Sequence, residues 1–116
     1  MMRSALLFLL LLFFPRAAMA LDLPIPRSAP GDKGAYFLMD HQRKGDVATT
    51  LHRREGPSGV GFSRSEINCR TMKIRDLGYS EDSPAKMKIS PGKWYDLVSG
   101  SSKSDLAHFA CRVSAR

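Results

Sequence analysis

Residues 46–55 carry the clearest alternation of apolar and polar positions in the chain. Successive side chains of a strand point to opposite faces, so this segment divides into two sets, Val47, Thr49 and Leu51 against Thr50, His52 and Arg54. Residues 35–41, just before it, are rich in aromatic and large apolar side chains. Residues 43–46 have the composition of a tight turn, so the pattern predicts a β-hairpin, followed by a loop at residues 56–61 that is rich in turn residues.

Residues 64–79 form the longest segment without a strong turn signal, and their apolar positions change phase twice. Ile67 and Cys69 share one face, Met72 and Ile74 fall on the other, and the pattern then returns to the first face. A single flat strand does not do this. The segment therefore predicts a bulge or strong bend near residues 70–71, or a central strand covered on both faces, with a helix as the competing interpretation.

The last third of the chain predicts two further strands and a helix. Residues 85–90 alternate with Met87 and Ile89 inward, and residues 93–98 form a strand with Trp94 as a core anchor. Residues 102–111 have helical spacing, with Ser102 or Ser104 as the cap. The predicted class is α+β, a mainly antiparallel sheet of about five or six strands with a short C-terminal helix tethered by a disulfide.

The first twenty residues have the three parts of an export signal. Arg3 is positive, residues 5–14 are all apolar, and residues 18–20 match the small-x-small pattern after which signal peptidase cleaves. The alternative is a membrane anchor, but ten apolar residues are fewer than the about 20 that a spanning helix needs. We expect a signal peptide over residues 1–20 and no transmembrane segment in the mature chain.

Residues 21–34 contain Pro24, Pro26 and Pro30 as well as Gly31 and Gly34. Prolines fix φ and remove hydrogen-bond donors, so this segment is predicted to be an extended tail. The folded domain is then expected over residues 35–116. The first cysteine is Cys69, so the end of the signal offers no cysteine for lipid attachment. We expect a protein that is periplasmic, secreted or at the cell surface, and not lipid-anchored.

Length, net charge and missing motifs exclude several classes of function. The 116 residues carry a net charge of +7, and removal of the signal takes away two arginines and leaves +5. The chain is too short for a (β/α)₈ barrel. Export and the absence of a nucleic-acid-binding motif argue against a nucleic-acid partner. Outside the cytoplasm, a basic surface favours anionic partners such as an anionic polysaccharide or an acidic host protein, and a solvated surface without a partner is the alternative.

Cys69 and Cys111 are the only cysteines, and they permit one intramolecular pairing. An exported chain meets an oxidising compartment, which favours a structural disulfide. A metal site and a redox pair are the alternatives. The chain has no Cys-x-x-Cys motif, and its histidines His41, His52 and His108 lack metal-ligand spacing, so we expect neither a metal nor a cofactor.

The sequence offers basic residues for binding but no pattern for catalysis. The Gly-x-Ser-x-Gly, His-Glu-x-x-His and phosphate-loop motifs are absent, so we do not expect an enzyme. Residues 44–46 read Lys-Gly-Asp, an integrin-like tripeptide that is also an ordinary turn sequence. The candidate binding residues are the cations of the predicted hairpin: Arg43, Lys44, Arg53 and Arg54. Arg53 and Arg54 point to opposite faces of a strand, so a solvated rim is the alternative.

The order of these features resembles a known family. A strand ending in aspartate (residues 36–40) precedes the alternating strand. These are followed by Ile67-Asn68-Cys69 with Arg75, by a strand from Trp94 to Val98, and by Cys111 near the end of the chain. Over residues 35–112 this is similar to the surface-adhesin protein E domain of small exported proteobacterial proteins. The resemblance implies an antiparallel sheet with a disulfide-tethered helix, binding to host matrix proteins such as vitronectin and laminin, and self-association as a homodimer.

Two hypotheses of different class follow. The first is an exported, non-enzymatic binding protein that recognises host extracellular matrix or another anionic macromolecule. The second is a periplasmic accessory or structural protein without a host ligand. An interaction that weakens steeply with salt would favour the first. Association of the protein only with itself, through strand edges and independent of salt, would favour the second.

Overall fold

A computed structural model describes residues 22–29 and 31–115. The predicted signal peptide lies outside these residues. The elements in chain order are β1 (Leu23–Pro24), β2 (Ala35–Lys44), β3 (Val47–Gly56), β4 (Gly59–Asn68), β5 (Lys73–Ser80), a 3₁₀ turn (Pro84–Lys86), β6 (Tyr95–Asp96) and α1 (Ser102–Val113). No helix among the described residues has the length and apolar character needed to cross a membrane.

The six strands form one antiparallel sheet in which every strand pairs with its neighbour along the chain, in the order β1-β2-β3-β4-β5-β6. The predicted class is confirmed, as is the hairpin over residues 35–55. Its turn is the pair Gly45-Asp46, with Gly45 at φ +60°. The loop expected at residues 56–61 is shorter than predicted, because β3 and β4 continue to Gly56 and from Gly59.

Residues 64–79 are two strands, and each phase change has its own cause. The first is a turn between β4 and β5 over residues 69–72, not a bulge within one strand. The side-chain oxygen of Asn68 accepts the backbone N–H groups of Arg70 and Thr71, and Met72 takes a left-handed conformation at φ 56°. The second is a bulge at Leu77, where the β4–β5 register shifts.

Helix α1 packs on one face of the sheet and supplies three of the eight buried residues of the core cluster in the described part of the chain. Leu106, Ala107 and Ala110 are buried against strand residues that include Leu38, Ile67 and Ile74. Two alanines on this side of the helix let it approach the sheet closely. The cap is Ser101, one residue before the predicted Ser102, and its hydroxyl accepts the backbone N–H of Ser104 at 3.1 Å.

The predicted disulfide joins Cys69, in the β4–β5 turn, to Cys111 near the end of α1, with the Cα atoms 5.7 Å apart. Arg43 reinforces the same end of the helix. Its guanidinium donates to the hydroxyl of Ser114 at 3.3 Å and to the carbonyl of Cys111 at 3.5 Å. The C-terminal half of α1 is therefore attached to two different hairpins.

The tail expected over residues 21–34 is part of the fold in its described portion. β1 pairs with β2, the Ile25 N–H donates to the Tyr36 carbonyl at 2.9 Å, and the Ile25 side chain is buried in the core. Proline is tolerated here because β1 is an edge strand. The prolines restrict the backbone to an extended conformation, which suits edge pairing as well as a free tail.

Residues 85–98 differ most from the prediction. The expected strand at residues 85–90 is replaced by a 3₁₀ turn and an extended stretch, in which Met87 is buried but Ile89 is 57% exposed. The strand expected at residues 93–98 is only two residues long, and Trp94 is 38% exposed rather than a core anchor. These residues form the outer edge of the sheet beyond β5, where one side of the chain faces solvent.

We expect the Cys69→Ser/Cys111→Ser variant to lose at least about 10 °C in thermal midpoint, because the bond constrains a 43-residue loop of the unfolded chain. Differential scanning calorimetry at pH 7 measures this, and reduced wild-type protein is the matched control. A midpoint within a few degrees of oxidised wild type would contradict a stabilising role for the bond.

Candidate functional site

The helix covers only part of its face of the sheet. We call this the helix face; it carries Tyr36, Thr50, His52, Ser63, Ile67 and Ile74, and the opposite side is the open face. The C-terminal end of α1 lies at the β2–β3 and β4–β5 turns, as the disulfide and Arg43 show. Within residues 22–29 and 31–115, no helix covers the end of the helix face near the β3–β4 turn.

A groove of about 600 Å³ occupies this uncovered end. Strand β3 contributes His52 and Arg54, and β4 contributes Gly61 and Ser63. The other walls come from separate parts of the chain: Tyr36, Tyr79, Glu81, Asp82 and Lys103. We call this space the His52 groove. Five segments of the sequence meet in it.

One end of the groove is closed by a cluster of Arg54, Tyr36 and Asp32. Arg54 donates to the Tyr36 hydroxyl at 3.0 Å and to Asp32 at 3.1 Å, and the Tyr36 hydroxyl donates to Asp32. Hydrogen bonds from Tyr36 and from the Gly34 N–H lower the pKa of Asp32 to about 2. Gly34 and Gly56 leave room for the guanidinium, because a Cβ at either position would lie within 2.7 Å of it.

At the other end of the groove, the carboxylate of Asp76 binds the side chains of Lys103 and Tyr95. The ammonium of Lys103, at the start of α1, contacts the Asp76 carboxylate, and the Tyr95 hydroxyl donates to it at 3.3 Å. The two cations of the groove, Lys103 and Arg54, therefore both have carboxylate partners.

His52 lies on the floor between these clusters and is 6% exposed. Its Nδ1 atom is buried without a hydrogen-bond partner, and so is the hydroxyl of Ser65 on the neighbouring strand. Burial lowers the pKa of His52 to about 4; the positive charge of Lys103 acts in the same direction, and the carboxylate of Asp76 opposes it. The imidazole is therefore neutral at pH 7.

Tyr79 forms the outer wall and is 59% exposed. Its ring packs against Gly61, where an added Cβ would lie 2.8 Å from a ring carbon. The hydroxyl of Ser80 accepts the backbone N–H groups of Asp82 and Ser83 at 3.1 and 3.3 Å, which fixes the turn after β5. Glu81 and Asp82 are exposed in this turn, and their carboxylates have no partner among the described residues.

A second, smaller cleft of about 320 Å³ lies between the N-terminal residues and α1. Its polar groups bind one another: Asp105 accepts from Arg27 at 2.8 Å and from the Ser28 hydroxyl at 2.6 Å. Burial raises the pKa of Asp105, but the hydrogen bonds from Ser28 and Arg27 outweigh this and lower it overall. This arrangement attaches the N-terminal residues to the helix.

The edge beyond β5 carries unpaired positive charge. We call residues 84–94 the lysine segment; Lys86, Lys88 and Lys93 are exposed there and form no ion pair with a described residue. Backbone N–H groups of Ser90 and Gly92 donate to carbonyls of β5 at 2.7 and 2.8 Å, so the segment is fixed to the sheet.

Trp94 ends the lysine segment on the open face. The guanidinium of Arg75 stacks over its ring at 4.9 Å, and Glu66 holds Arg75 through a 2.6 Å ion pair. Because neighbouring residues of a strand point to opposite sides, Tyr95 faces the helix side while Trp94 lies beside Arg75. The segment thus combines three exposed lysines with the indole ring of Trp94 and the exposed Ile89.

The structure separates the four candidate binding residues that the sequence suggested. Arg43 and Arg54 share the helix face but lie about 20 Å apart along the hairpin. Arg43 binds the end of α1 and Arg54 binds Tyr36 and Asp32. On the open face, Arg53 pairs with Asp22 and Glu55, whereas Lys44 is exposed next to the turn.

Sequence reasoning missed the lysine segment as a surface, because alternation of Met87 and Ile89 suggested a buried strand. The proline and glycine at positions 91 and 92 were a usable signal, since they shorten any strand between them and α1. The His52 groove left no comparable signal, as its walls come from five separated segments. Among the described residues, no group of three or more His, Cys, Asp or Glu side chains is placed to hold a metal ion.

We expect the free energy of unfolding to fall by up to about 3 kcal/mol as the pH drops from 6.5 to 4, because the unfolded chain binds a proton on His52 that the folded protein does not. Denaturant titrations of wild type and His52→Leu at pH 7 and pH 4.5 measure this. The variant is expected to lose less stability over this interval than wild type.

The matched control is His108→Leu, which removes an exposed histidine of α1 and should keep the pH dependence of wild type. Equal slopes for His52→Leu and wild type would show that His52 does not carry this dependence. Asp32 is present in all three proteins, so its lowered carboxyl pKa contributes equally to each and cancels from the comparison.

Comparison with known proteins adds no relative from which the site can be interpreted. No family model, curated protein or solved structure matches the chain. The resemblance to the surface-adhesin protein E domain stays a prediction from the sequence, and the chemistry of the two surfaces described above has to be argued from their own residues.

Proposed function

We propose that this protein is an exported, non-enzymatic binding protein that holds an anionic polysaccharide on its lysine segment. The observation that carries the proposal is the set of three exposed lysines that have no acidic partner in the described part of the chain, on a segment that hydrogen bonds fix to β5. Unpaired cations on a fixed backbone bind a polyanion without first breaking ion pairs of their own.

A polysaccharide fits the shape of this surface better than a folded acidic protein. The three lysines lie within eight residues at the sheet edge, Lys86 at the end of the 3₁₀ turn and Lys88 and Lys93 in the stretch that follows it, and this spacing suits a linear polymer with repeating charge. Trp94 and Ile89 beside them offer apolar area to the faces of sugar rings. Sulfated polysaccharides are abundant in extracellular matrix, where the resemblance to adhesin E would place the ligand.

Export is part of the same proposal. The residues of the signal pattern lie outside the described structure, but the disulfide between Cys69 and Cys111 supports export, because such bonds persist mainly in oxidising compartments. The alternatives are host matrix proteins as ligands, self-association, and a periplasmic accessory role. The experiments below test the class of ligand and the location of the protein.

The variant Lys86→Gln/Lys88→Gln/Lys93→Gln should bind heparin about tenfold more weakly than wild type, since three exposed ionic contacts of roughly 0.5 kcal/mol each are lost. Isothermal titration calorimetry at 50 and 200 mM NaCl measures the affinity. Wild-type binding should weaken with salt, and the variant should show the smaller salt dependence.

The matched control is Lys33→Gln/Lys44→Gln/Arg112→Gln, which removes the same charge from exposed positions outside the lysine segment. It should bind nearly as tightly as wild type. Equal losses in the two triple variants would show that net charge alone attracts the polymer. If an acidic protein bound in place of heparin, and only the first variant lost this binding, the ligand would be an acidic protein and not a polysaccharide.

Export predicts that the protein isolated from the periplasm or medium begins at Leu21, after cleavage behind Ala20. Intact-mass spectrometry of the fractionated protein measures this, with the cytoplasmic fraction as the control. Protease treatment of intact cells then separates a surface location, in which the protein is digested, from a periplasmic one. A full-length chain in the cytoplasm would contradict the export part of the proposal.

A further inference from the structure

The His52 groove has a distribution of charge that restricts its ligand. Its cations, Arg54 and Lys103, are bound to the carboxylates of Asp32 and Asp76 at opposite ends. The groups without partners lie between and beside them. These are the carboxylates of Glu81 and Asp82, the hydroxyl of Ser63 and the imidazole of His52.

Three ligand classes fit this arrangement poorly. An anion would meet two cations already neutralised and two free carboxylates. A strongly cationic ligand would find only the exposed carboxylates of Glu81 and Asp82 on one wall, and ion pairs at exposed positions contribute little binding free energy. An apolar ligand would leave the polar floor of His52 and Ser63 without solvent or partners, which costs free energy.

A neutral ring with several hydroxyl groups fits all of these groups. Its hydroxyls donate to carboxylates and to imidazole nitrogen, and they accept from Ser63 and from any free N–H of the guanidinium. Its C–H face packs on an aromatic ring. We propose that the His52 groove is a binding site for a neutral saccharide, with Tyr79 as the ring on which the sugar stacks.

The placement of Tyr79 supports this role. The hydroxyl end of its ring lies against Gly61, where a side chain would not fit, and 59% of the residue is nevertheless exposed. Beside it, the Ser80 hydroxyl fixes the turn that presents Glu81 and Asp82. The volume of about 600 Å³ lies in the usual range for small-ligand sites, which is roughly 300–1,000 Å³.

The site is distinct from the surface of the proposed function. The groove lies on the helix face, whereas Trp94 and the lysines lie at the outer edge and on the open face, so the substitutions that test the two sites share no residue. His52 lines the groove, and its Nδ1 atom is buried without a hydrogen-bond partner among the described residues, so a ligand in the groove would contact the part of the imidazole ring that lines it.

The test is titration of the oxidised, ¹⁵N-labelled protein with cellobiose and with N,N′-diacetylchitobiose, followed by two-dimensional NMR. We expect saturable shifts at Gly61, Ser63, Tyr79 and Glu81. Tyr79→Ala should weaken binding about tenfold, and Tyr79→Phe should stay within about twofold of wild type because stacking needs the ring and not the hydroxyl.

Glu81→Gln/Asp82→Asn changes exposed side chains only and should also weaken binding, so the test stands even if Tyr79→Ala does not fold. Trp94→Ala is the matched aromatic control and should bind both disaccharides as wild type does. Absence of saturable shifts, shifts confined to residues 84–94, unchanged affinity in Tyr79→Ala, or tighter binding of spermidine at the same residues would each overturn the proposal. Heparin binding of Tyr79→Ala, measured in parallel, reports on the proposed function separately.

Discussion

The difference in length between the helix and the strands determines where this protein has a groove. Twelve helical residues span about 18 Å, whereas a ten-residue strand spans about 33 Å. The Cys69–Cys111 bond and the contacts of Arg43 hold the C-terminal end of α1 at one end of the sheet. The helix therefore begins midway along the strands, and the far end of its face stays open.

This constraint explains why polar residues occupy strand positions that alternation directs towards the core. Positions such as Ala48 and Ile67 lie under the helix and are apolar. Farther along β3, His52 lies near the first residue of α1 and Arg54 lies beyond it. At the boundary, His52 and Ser65 are buried with unsatisfied polar atoms, which costs stability. A covalent bond at the opposite end of the helix stabilises a small domain that carries this cost.

Alternation in the sequence was enough to predict the β2–β3 hairpin, the two faces of β3 and the helix, because each depends on residues close together in the chain. The β4–β5 turn was not recognised, because it uses neither glycine nor proline. The side chain of Asn68 caps it, and Met72 takes the positive φ that glycine would usually supply. Trp94 was misplaced because its large apolar ring suggested burial, whereas it lies just before a two-residue edge strand, is partly exposed and stacks with Arg75.

The candidate sites show the same division between local and long-range information. Counting cations selected the hairpin arginines, yet acidic residues from other segments neutralise two of them: Asp22 pairs with Arg53, which also binds the nearby Glu55, and Asp32 pairs with Arg54. The lysine segment holds fewer charges, but none is compensated by a described residue. Attraction for a polyanion depends on the number of positive charges that are still unpaired after folding. Ion pairs between residues far apart in the sequence determine that number. Local sequence therefore locates positive charge, and only the tertiary structure shows which of it is available for binding.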